Sequence, residues 1–283
     1  MNRFANNLLI AMVVVSAALL LGYAYIWVNT EARFDRVYEA PLVEIPVSDD
    51  PAVLAEGERL ARVRGCFFCH GERLQGRGYF IEGRKGLKLV SPNLTLKASE
   101  QSPAEFARTI RNGIRPDGTS LQPAMPSMAF YHMSDADIGA IVSYIRSLPL
   151  QEGPVGGFDP WPLGRIRLFF KIGKLPDNIG DLMDQSAPKV STEFQPGSIE
   201  QGDYLVQSVC TECHSDIGRL RVWRSPDLGI ARAYSKEAFT RFMRDGKVLD
   251  DRKIDVHMVE AIDARYGYLT DTELSAIYRY LNR

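Results

Sequence analysis

Two five-residue motifs of the form Cys-x-x-Cys-His, at residues 66–70 and 210–214, carry the clearest chemistry in this sequence. In such a run, two thiols form thioether bonds to the vinyl groups of one porphyrin. The imidazole that follows becomes the proximal ligand of the iron. The motifs therefore predict two covalently attached haem c groups. The predicted attachment residues are Cys66, Cys69, His70, Cys210, Cys213 and His214.

A zinc site or a redox-active dithiol would be a different use of the same cysteines. Zinc needs two further ligands to complete a tetrahedral set around each Cys pair. Each pair instead carries its own adjacent histidine, and the motifs use all four cysteines of the chain. These features favour haem over both alternatives.

The composition narrows the class of protein. A chain of 283 residues exceeds a typical single domain, so two domains are expected. The formal net charge of −1 gives no reason to expect a nucleic-acid partner.

Residues 8–28 form an apolar run without a charged residue, long enough to cross a bilayer as a helix. Tyr23, Tyr25 and Trp27 lie at its far end, as in an aromatic interfacial belt. The apolar core of a cleaved signal peptide is shorter and ends at a small-x-small site. The run therefore favours a retained membrane anchor. Because haem c is attached outside the cytoplasm in bacteria, we expect a single-pass protein of the inner membrane with its haem domains in the periplasm.

The rest of the chain reads as two related halves joined by a connector. Pro41 and Pro46 discourage regular structure after the anchor. The connector is rich in Gly and Pro, and its apolar, basic residues 165–171 could contact a membrane surface or pack on the protein itself. The expected organisation is an anchor helix at 1–30, a tether at 31–50, a first domain at 51–150, a linker at 151–197 and a second domain at 198–283.

The second half repeats landmarks of the first. Ser-Pro-Asn-Leu at 91–94 returns as Ser-Pro-Asp-Leu at 225–228. The predicted helices from Ser102 to Gly113 and from Ser235 to Gly246 have the same length. Thr270 and Glu273 form a capping box, a signal for the start of a helix. We therefore expect a duplicated, mostly helical unit.

The repeat also points to the sixth ligands of the two irons. Met125 and Met258 each lie twelve residues after the corresponding glycine, Gly113 or Gly246. A methionine ligand would raise the reduction potential of each haem. The alternatives for the first site are Met128 and Met133, and those for the second are His257 and Met243.

The prolines of the repeated Ser-Pro segments, Pro92 and Pro226, have a possible role beside the proximal histidines. Their carbonyl groups can accept a hydrogen bond from the outer ring nitrogen of His70 or His214. Alternatively, the prolines only shape a turn.

These motifs, with Pro-Ala-Met-Pro at 123–126 and Tyr-Ile-Arg-Ser-Leu-Pro at 144–149, resemble the class I cytochrome c family. More narrowly, the chain is similar to membrane-anchored di-haem or multi-haem subunits of bacterial respiratory complexes and dehydrogenases. The resemblance implies a mostly α fold, in which a transmembrane helix precedes two tandem cytochrome c-like domains. It also implies the proline contacts above and helix crossings of Gly57 with Tyr144 and of Gly202 with Tyr280.

The function expected from this pattern is electron transfer without catalysis by side chains. The protein would pass single electrons from a membrane or periplasmic donor to an oxidase or another acceptor, as part of a respiratory or dehydrogenase complex. Two other classes remain open: a di-haem enzyme of the peroxidase or thiosulfate-oxidising type, and a haem-based sensor or assembly subunit. Hydrogen peroxide turnover would identify the first, and rapid carbon monoxide binding by the reduced protein would identify the second.

Overall fold

The structure is a computed structural model and describes residues 3–81, 86–170, 178–215, 225–248 and 254–283. Within these ranges the chain is mostly helical, as the sequence predicts. Two separate hydrophobic cores organise it, one in the first half and one in the second.

The N-terminal helix α1 spans Arg3–Phe34, and its apolar side chains are exposed. Within the described ranges it is the one helix long and apolar enough to cross a membrane. It ends four residues beyond the predicted end of the anchor, in the segment expected to be a tether. The segment is held against the folded chain: Val37 forms a β-bridge to Thr119 of the first half, and Tyr38 Oη donates to Asp181 Oδ1 of the connector at 2.8 Å.

The first core is built by six helices that follow α1. Their limits follow sequence signals: Asp50 and Ser134 accept N-terminal hydrogen bonds, and Gly113 ends a helix with φ of +68°. The helices are α2 (Pro51–Val63), α3 (Cys66–His70), α4 (Leu94–Glu100), α5 (Pro103–Asn112), α6 (Ser127–Phe130) and α7 (Asp135–Ser147).

A small antiparallel sheet changes the interpretation of the connector. Its strands are β1 (Arg77–Ile81), β2 (Leu87–Ser91) and β3 (Gly157–Pro160), in the order β1-β2-β3. β3 and the next helix, α8 (Pro162–Phe169), both belong to the predicted linker. Because β3 pairs with β2, this part of the connector is packed on the first half and is not a free linker.

The second core is formed mainly by residues after 198, together with Val63 of α2. Its elements are α9 (Ile199–Leu205), a π-helical turn (Val206–Cys210), α10 (Thr211–His214), a 3₁₀ turn (Leu228–Ala233), α11 (Lys236–Asp245), α12 (Val256–Ala264), a 3₁₀ turn (Tyr266–Tyr268) and α13 (Asp271–Leu281). Thr270 and Glu273 make both bonds of the predicted capping box at the start of α13.

The same close helix crossing occurs in both halves. A Cβ atom added to Gly57 on α2 would lie 2.1 Å from the carbonyl oxygen of Ala140 on α7. A Cβ atom added to Gly202 on α9 would lie at the same distance from the carbonyl oxygen of Ala276 on α13. Only glycine allows the two helices to approach so closely, and these crossings are the ones implied by the resemblance.

The two halves contact each other directly. Arg59 on α2 forms a bidentate ion pair with Glu273 on α13, with nitrogen–oxygen distances of 2.9 and 3.0 Å. Tyr204 on α9 accepts a hydrogen bond from the backbone of Ser134 at 3.1 Å and donates to Asp137. These contacts hold the two Cys-x-x-Cys-His segments near one another.

Candidate haem sites

The first Cys-x-x-Cys-His motif is a single short helix, α3, that begins after a tight turn. Gly65 precedes it with φ of +77°, a conformation that favours glycine. Cys66, Cys69 and His70 all line one cavity. The helix therefore presents both thiols and the imidazole to the same space.

The imidazole of His70 is fixed by the proline that the sequence analysis singled out. Nδ1 of His70 lies 2.8 Å from the carbonyl oxygen of Pro92. Burial lowers the pKa of His70, and the Pro92 carbonyl opposes this shift. A neutral ring that donates from Nδ1 keeps the lone pair of Nε2 available for a metal.

The remaining cavity wall near this motif is mainly apolar and comes from several elements. It includes Met125 and Met133, whereas Met128 does not line it. Met125 precedes α6 by two residues, and the side chain of Met133 is buried in the first core. Other apolar lining residues are Leu87, Leu89, Leu94, Ile110, Phe130, Ile141, Ile145, Phe158 and Leu168.

Arg64 adds a buried positive charge to this wall. Its side chain is almost fully buried, and its Nη2 atom lies 3.5 Å from Asp137 Oδ2. None of its three guanidinium nitrogens makes a hydrogen bond within the described part of the chain. An apolar cavity with two thiols, an oriented imidazole and donors without acceptors fits a porphyrin that carries carboxylate groups.

The thiols themselves are not activated. Burial raises the pKa of Cys66 to about 11 and those of Cys69 and Cys210 to about 12. Redox-active dithiols instead have lowered pKa values. Within the described ranges, no group of three or more His, Cys, Asp and Glu side chains could hold a metal ion. These surroundings do not favour the dithiol or zinc interpretations.

The second motif repeats the proline contact, but the backbone that leads into it is different. Nδ1 of His214 lies 2.9 Å from the carbonyl oxygen of Pro226. The motif continues from the π-helical turn that ends at Cys210, without a preceding left-handed glycine. Cys210 packs against the second core, whereas Cys213 lines the cavity of the first motif.

The two candidates for the second sixth ligand lie in different surroundings. Both are in the first turn of α12, in contrast to Met125, which precedes a helix. Met258 packs against the second core, as Cys210 does. His257 lines the cavity of the first motif, and its Nδ1 atom lies 2.7 Å from Asp255 Oδ1. Met243 is buried in the second core.

Arg265 lies between the two motifs, a position that the sequence did not indicate. Its Nε atom donates to the carbonyl oxygen of Val63 at 3.0 Å, and its Nη2 atom lies 2.8 Å from Glu212 Oε2. Burial by itself would lower the pKa of Arg265, but the charge of Glu212 contributes to a net rise. The guanidinium therefore stays charged and joins the helix before the first motif to the middle of the second.

Comparisons with known proteins identify a cytochrome c domain in this chain. Residues 54–149 match the family model described as Cytochrome c, so the first half contains a cytochrome c domain. The matched segment includes the first motif, Pro92 and Met125.

Curated relatives extend the similarity beyond that domain. The cytochrome subunit of fructose dehydrogenase from Gluconobacter japonicus is 28% identical over 276 residues, which cover 85% of this chain and 54% of the relative. The cytochrome c subunit of alcohol dehydrogenase (quinone) from Gluconacetobacter polyoxogenes is 27% identical over 295 residues, covering 88% and 59%. The cytochrome c subunit of gluconate 2-dehydrogenase from Pantoea cypripedii is 25% identical over 276 residues, covering 81% and 59%. The chain spans about half the length of these relatives.

Proposed function

We propose that this protein is a membrane-anchored di-haem cytochrome c that relays single electrons within a membrane dehydrogenase or respiratory complex. The observation that carries the proposal is the paired histidine geometry. In both motifs, Nδ1 of the histidine lies within 2.9 Å of a proline carbonyl oxygen. This contact engages Nδ1 of each ring, and Nε2 would be the atom that binds an iron.

At the first site, Cys66 and Cys69 would bind the porphyrin covalently, His70 would be the proximal ligand and Met125 the sixth ligand. All four residues line the same cavity. Haem c supplies a one-electron iron couple when it is bound. The protein would orient the imidazole through Pro92 and exclude water with its apolar wall. Occupation of both axial positions would suit electron transfer and disfavour peroxide turnover.

At the second site, Cys210 and Cys213 would hold the second haem, His214 would be its proximal ligand and Met258 its sixth ligand. Pro226 would orient His214 as Pro92 orients His70. The duplicated Gly57 and Gly202 crossings support two tandem cytochrome c-like domains, at about 51–150 and 198–283.

The partner proteins are inferred from the relatives. Three of them are described as cytochrome subunits of fructose, alcohol and gluconate dehydrogenases. We propose that a catalytic dehydrogenase subunit supplies electrons to this chain and that an oxidase or another respiratory component accepts them. The exposed apolar helix α1 supports a single pass through a membrane. Because haem c is attached outside the cytoplasm in bacteria, this would be the inner membrane, with the haem domains in the periplasm.

The direct test is the number of covalent haems per chain. After acid extraction of non-covalent haem, pyridine haemochrome spectra of the holoprotein should give two haems per polypeptide. The double variants Cys66→Ser/Cys69→Ser and Cys210→Ser/Cys213→Ser should each retain one, so each serves as the control for the other. One haem in the unmodified protein, or no loss from the second variant, would refute the di-haem assignment. Efficient hydrogen peroxide turnover would instead indicate an enzyme.

A further inference from the structure

Helix α8 is fixed against the end of the anchor helix α1 by several specific contacts. The Arg165 guanidinium lies 3.6 Å from the ring centre of Trp27, donates to Thr30 Oγ1 at 2.9 Å and forms an ion pair with Glu31. The rings of Tyr25 and Phe169 meet edge to face, with centres 5.8 Å apart. The position of α8 along α1 is therefore set by residues 25–31.

This position defines the depth of α8 relative to the apolar run. The run ends at Val28, and an α-helix rises about 1.5 Å per residue, so Tyr25 lies about 4.5 Å inside its end. Phe169 contacts Tyr25 and thus lies near that level. Helices that lie in a membrane interface bury their apolar face by about 5–10 Å. The C-terminal end of α8 reaches that layer if α1 spans the bilayer.

The two faces of the α8 segment have different surroundings. On one face, Leu168 is 1% exposed and lines the cavity of the first motif. On the other, Leu163 and Phe170 are 54% and 60% exposed, and Trp161, which precedes the helix, is 47% exposed. Exposure of three large apolar side chains on one short segment indicates a surface that another apolar phase covers.

Charge and continuity identify that phase as lipid. The ring of Phe170 meets that of Phe169 edge to face, with centres 4.9 Å apart, and Phe169 meets Tyr25 of α1. The exposed apolar surface at the end of α8 therefore continues into that of α1, which extends towards the N-terminus along the whole run. Arg33 donates from Nη1 to the carbonyl oxygen of Leu168 at 3.3 Å, and Arg167 is partly exposed on α8. Cations at this level, next to aromatic and aliphatic side chains, match the headgroup layer of an anionic bilayer.

We propose that α8, with its flanking residues Trp161 and Phe170, is a second membrane-contact element that lies in the interfacial layer of the bilayer spanned by α1. This inference rests on the proposed role of α1 as the anchor. Because Leu168 lines the first haem cavity, α8 would hold that cavity next to the membrane surface in a fixed orientation.

The experiment uses spin labels on the full-length holoprotein in nanodiscs of phosphatidylcholine and phosphatidylglycerol. Labels are attached to the variants Leu163→Cys and Phe170→Cys, since the other four cysteines are committed to the proposed haem bonds. Leu20→Cys on α1 is the control within the bilayer. Ile230→Cys, at a position of the second half with 43% exposure, is the aqueous control. Power saturation compares the access of molecular oxygen with that of a water-soluble nickel chelate.

The label at 170 should have an oxygen-to-nickel access ratio several-fold above that at 230 and below that at 20. The label at 163, which is nearer the level of Thr30 and Glu31, should have a ratio between those at 170 and 230. If they match 230 while position 20 remains in lipid, the inference is wrong and the anchor stands. If both reagents are excluded from 163 and 170, a protein covers this face and the inference is also wrong. If position 20 is open to the nickel chelate, the anchor itself fails, and this result contradicts both proposals.

Discussion

The two Cys-x-x-Cys-His segments share their local contacts and differ in their surroundings. Nδ1 of His70 and Nδ1 of His214 contact a proline carbonyl at 2.8 and 2.9 Å. However, His70 is 6% exposed, whereas His214 is only partly buried. The local geometry therefore depends on the helix and the proline segment, and the burial depends on the packing of each half. Since burial disfavours the more highly charged state of the iron, we expect the first haem to have the higher potential.

The largest expected effect comes from replacing the proposed sixth ligand of each haem. We expect Met125→His and Met258→His each to remove the weak long-wavelength ferric band of one iron–thioether centre. The reduction potential of that haem should decrease, by part of the roughly 0.8 V over which axial ligands set haem potentials. Absorption spectroscopy and a spectroelectrochemical titration of the holoprotein would measure both effects.

His257→Ala is the matched control at the second site, because His257 is adjacent to Met258 and lines the cavity of the first motif. It should leave the thioether band intact. If Met258→His leaves the band unchanged and His257→Ala instead produces a high-spin ferric haem, His257 is the ligand. The correspondence between the two halves would then fail at this position.

A smaller effect is expected at the ion pair that joins the two sites. Arg265→Met leaves Glu212 without its partner, and breaking a buried pair in this way costs about 3–5 kcal/mol. Most of the loss should be recovered in Arg265→Met/Glu212→Gln, because that variant carries no unpaired charge. The free energy of unfolding would be measured with urea, following both circular dichroism and haem absorbance.

Arg244 provides the matched control for this prediction. It pairs with Asp271 at 2.8 Å in the same half, but that carboxylate is highly exposed. Exposed pairs contribute about 0–1 kcal/mol, so Arg244→Met should change little. Equal effects of the Arg265 and Arg244 substitutions would show that Arg265 does not couple the two motifs.

The smallest effect concerns the feature that the halves share most closely. Gly57→Ala and Gly202→Ala each place a Cβ atom 2.1 Å from a carbonyl oxygen, so both should lose about 1–3 kcal/mol. Thermal unfolding of the holoprotein would compare them. Gly267→Ala is the control, because no atom lies within 4 Å of its added Cβ. Clearly unequal losses would contradict a common packing of the two helix pairs.

The connector shows where sequence patterns were insufficient. Its Gly and Pro content predicted a linker, and nothing in residues 157–160 distinguishes a strand from an irregular segment. β3 exists because β2 has an edge with which it can pair, and that edge forms only when the first half is folded. The position of α8 on α1 depends in the same way on contacts between residues that are distant in sequence.

The sequence by itself determined the local chemistry: the two motifs and the helix starts and stops. Those features depend on residues close together in the chain, where spacing fixes geometry. Only the tertiary structure placed Arg265 between the motifs, His257 on the first motif's cavity and Met258 on the second core. These placements depend on how separate helices pack, and packing brings together residues whose spacing carries no local signal.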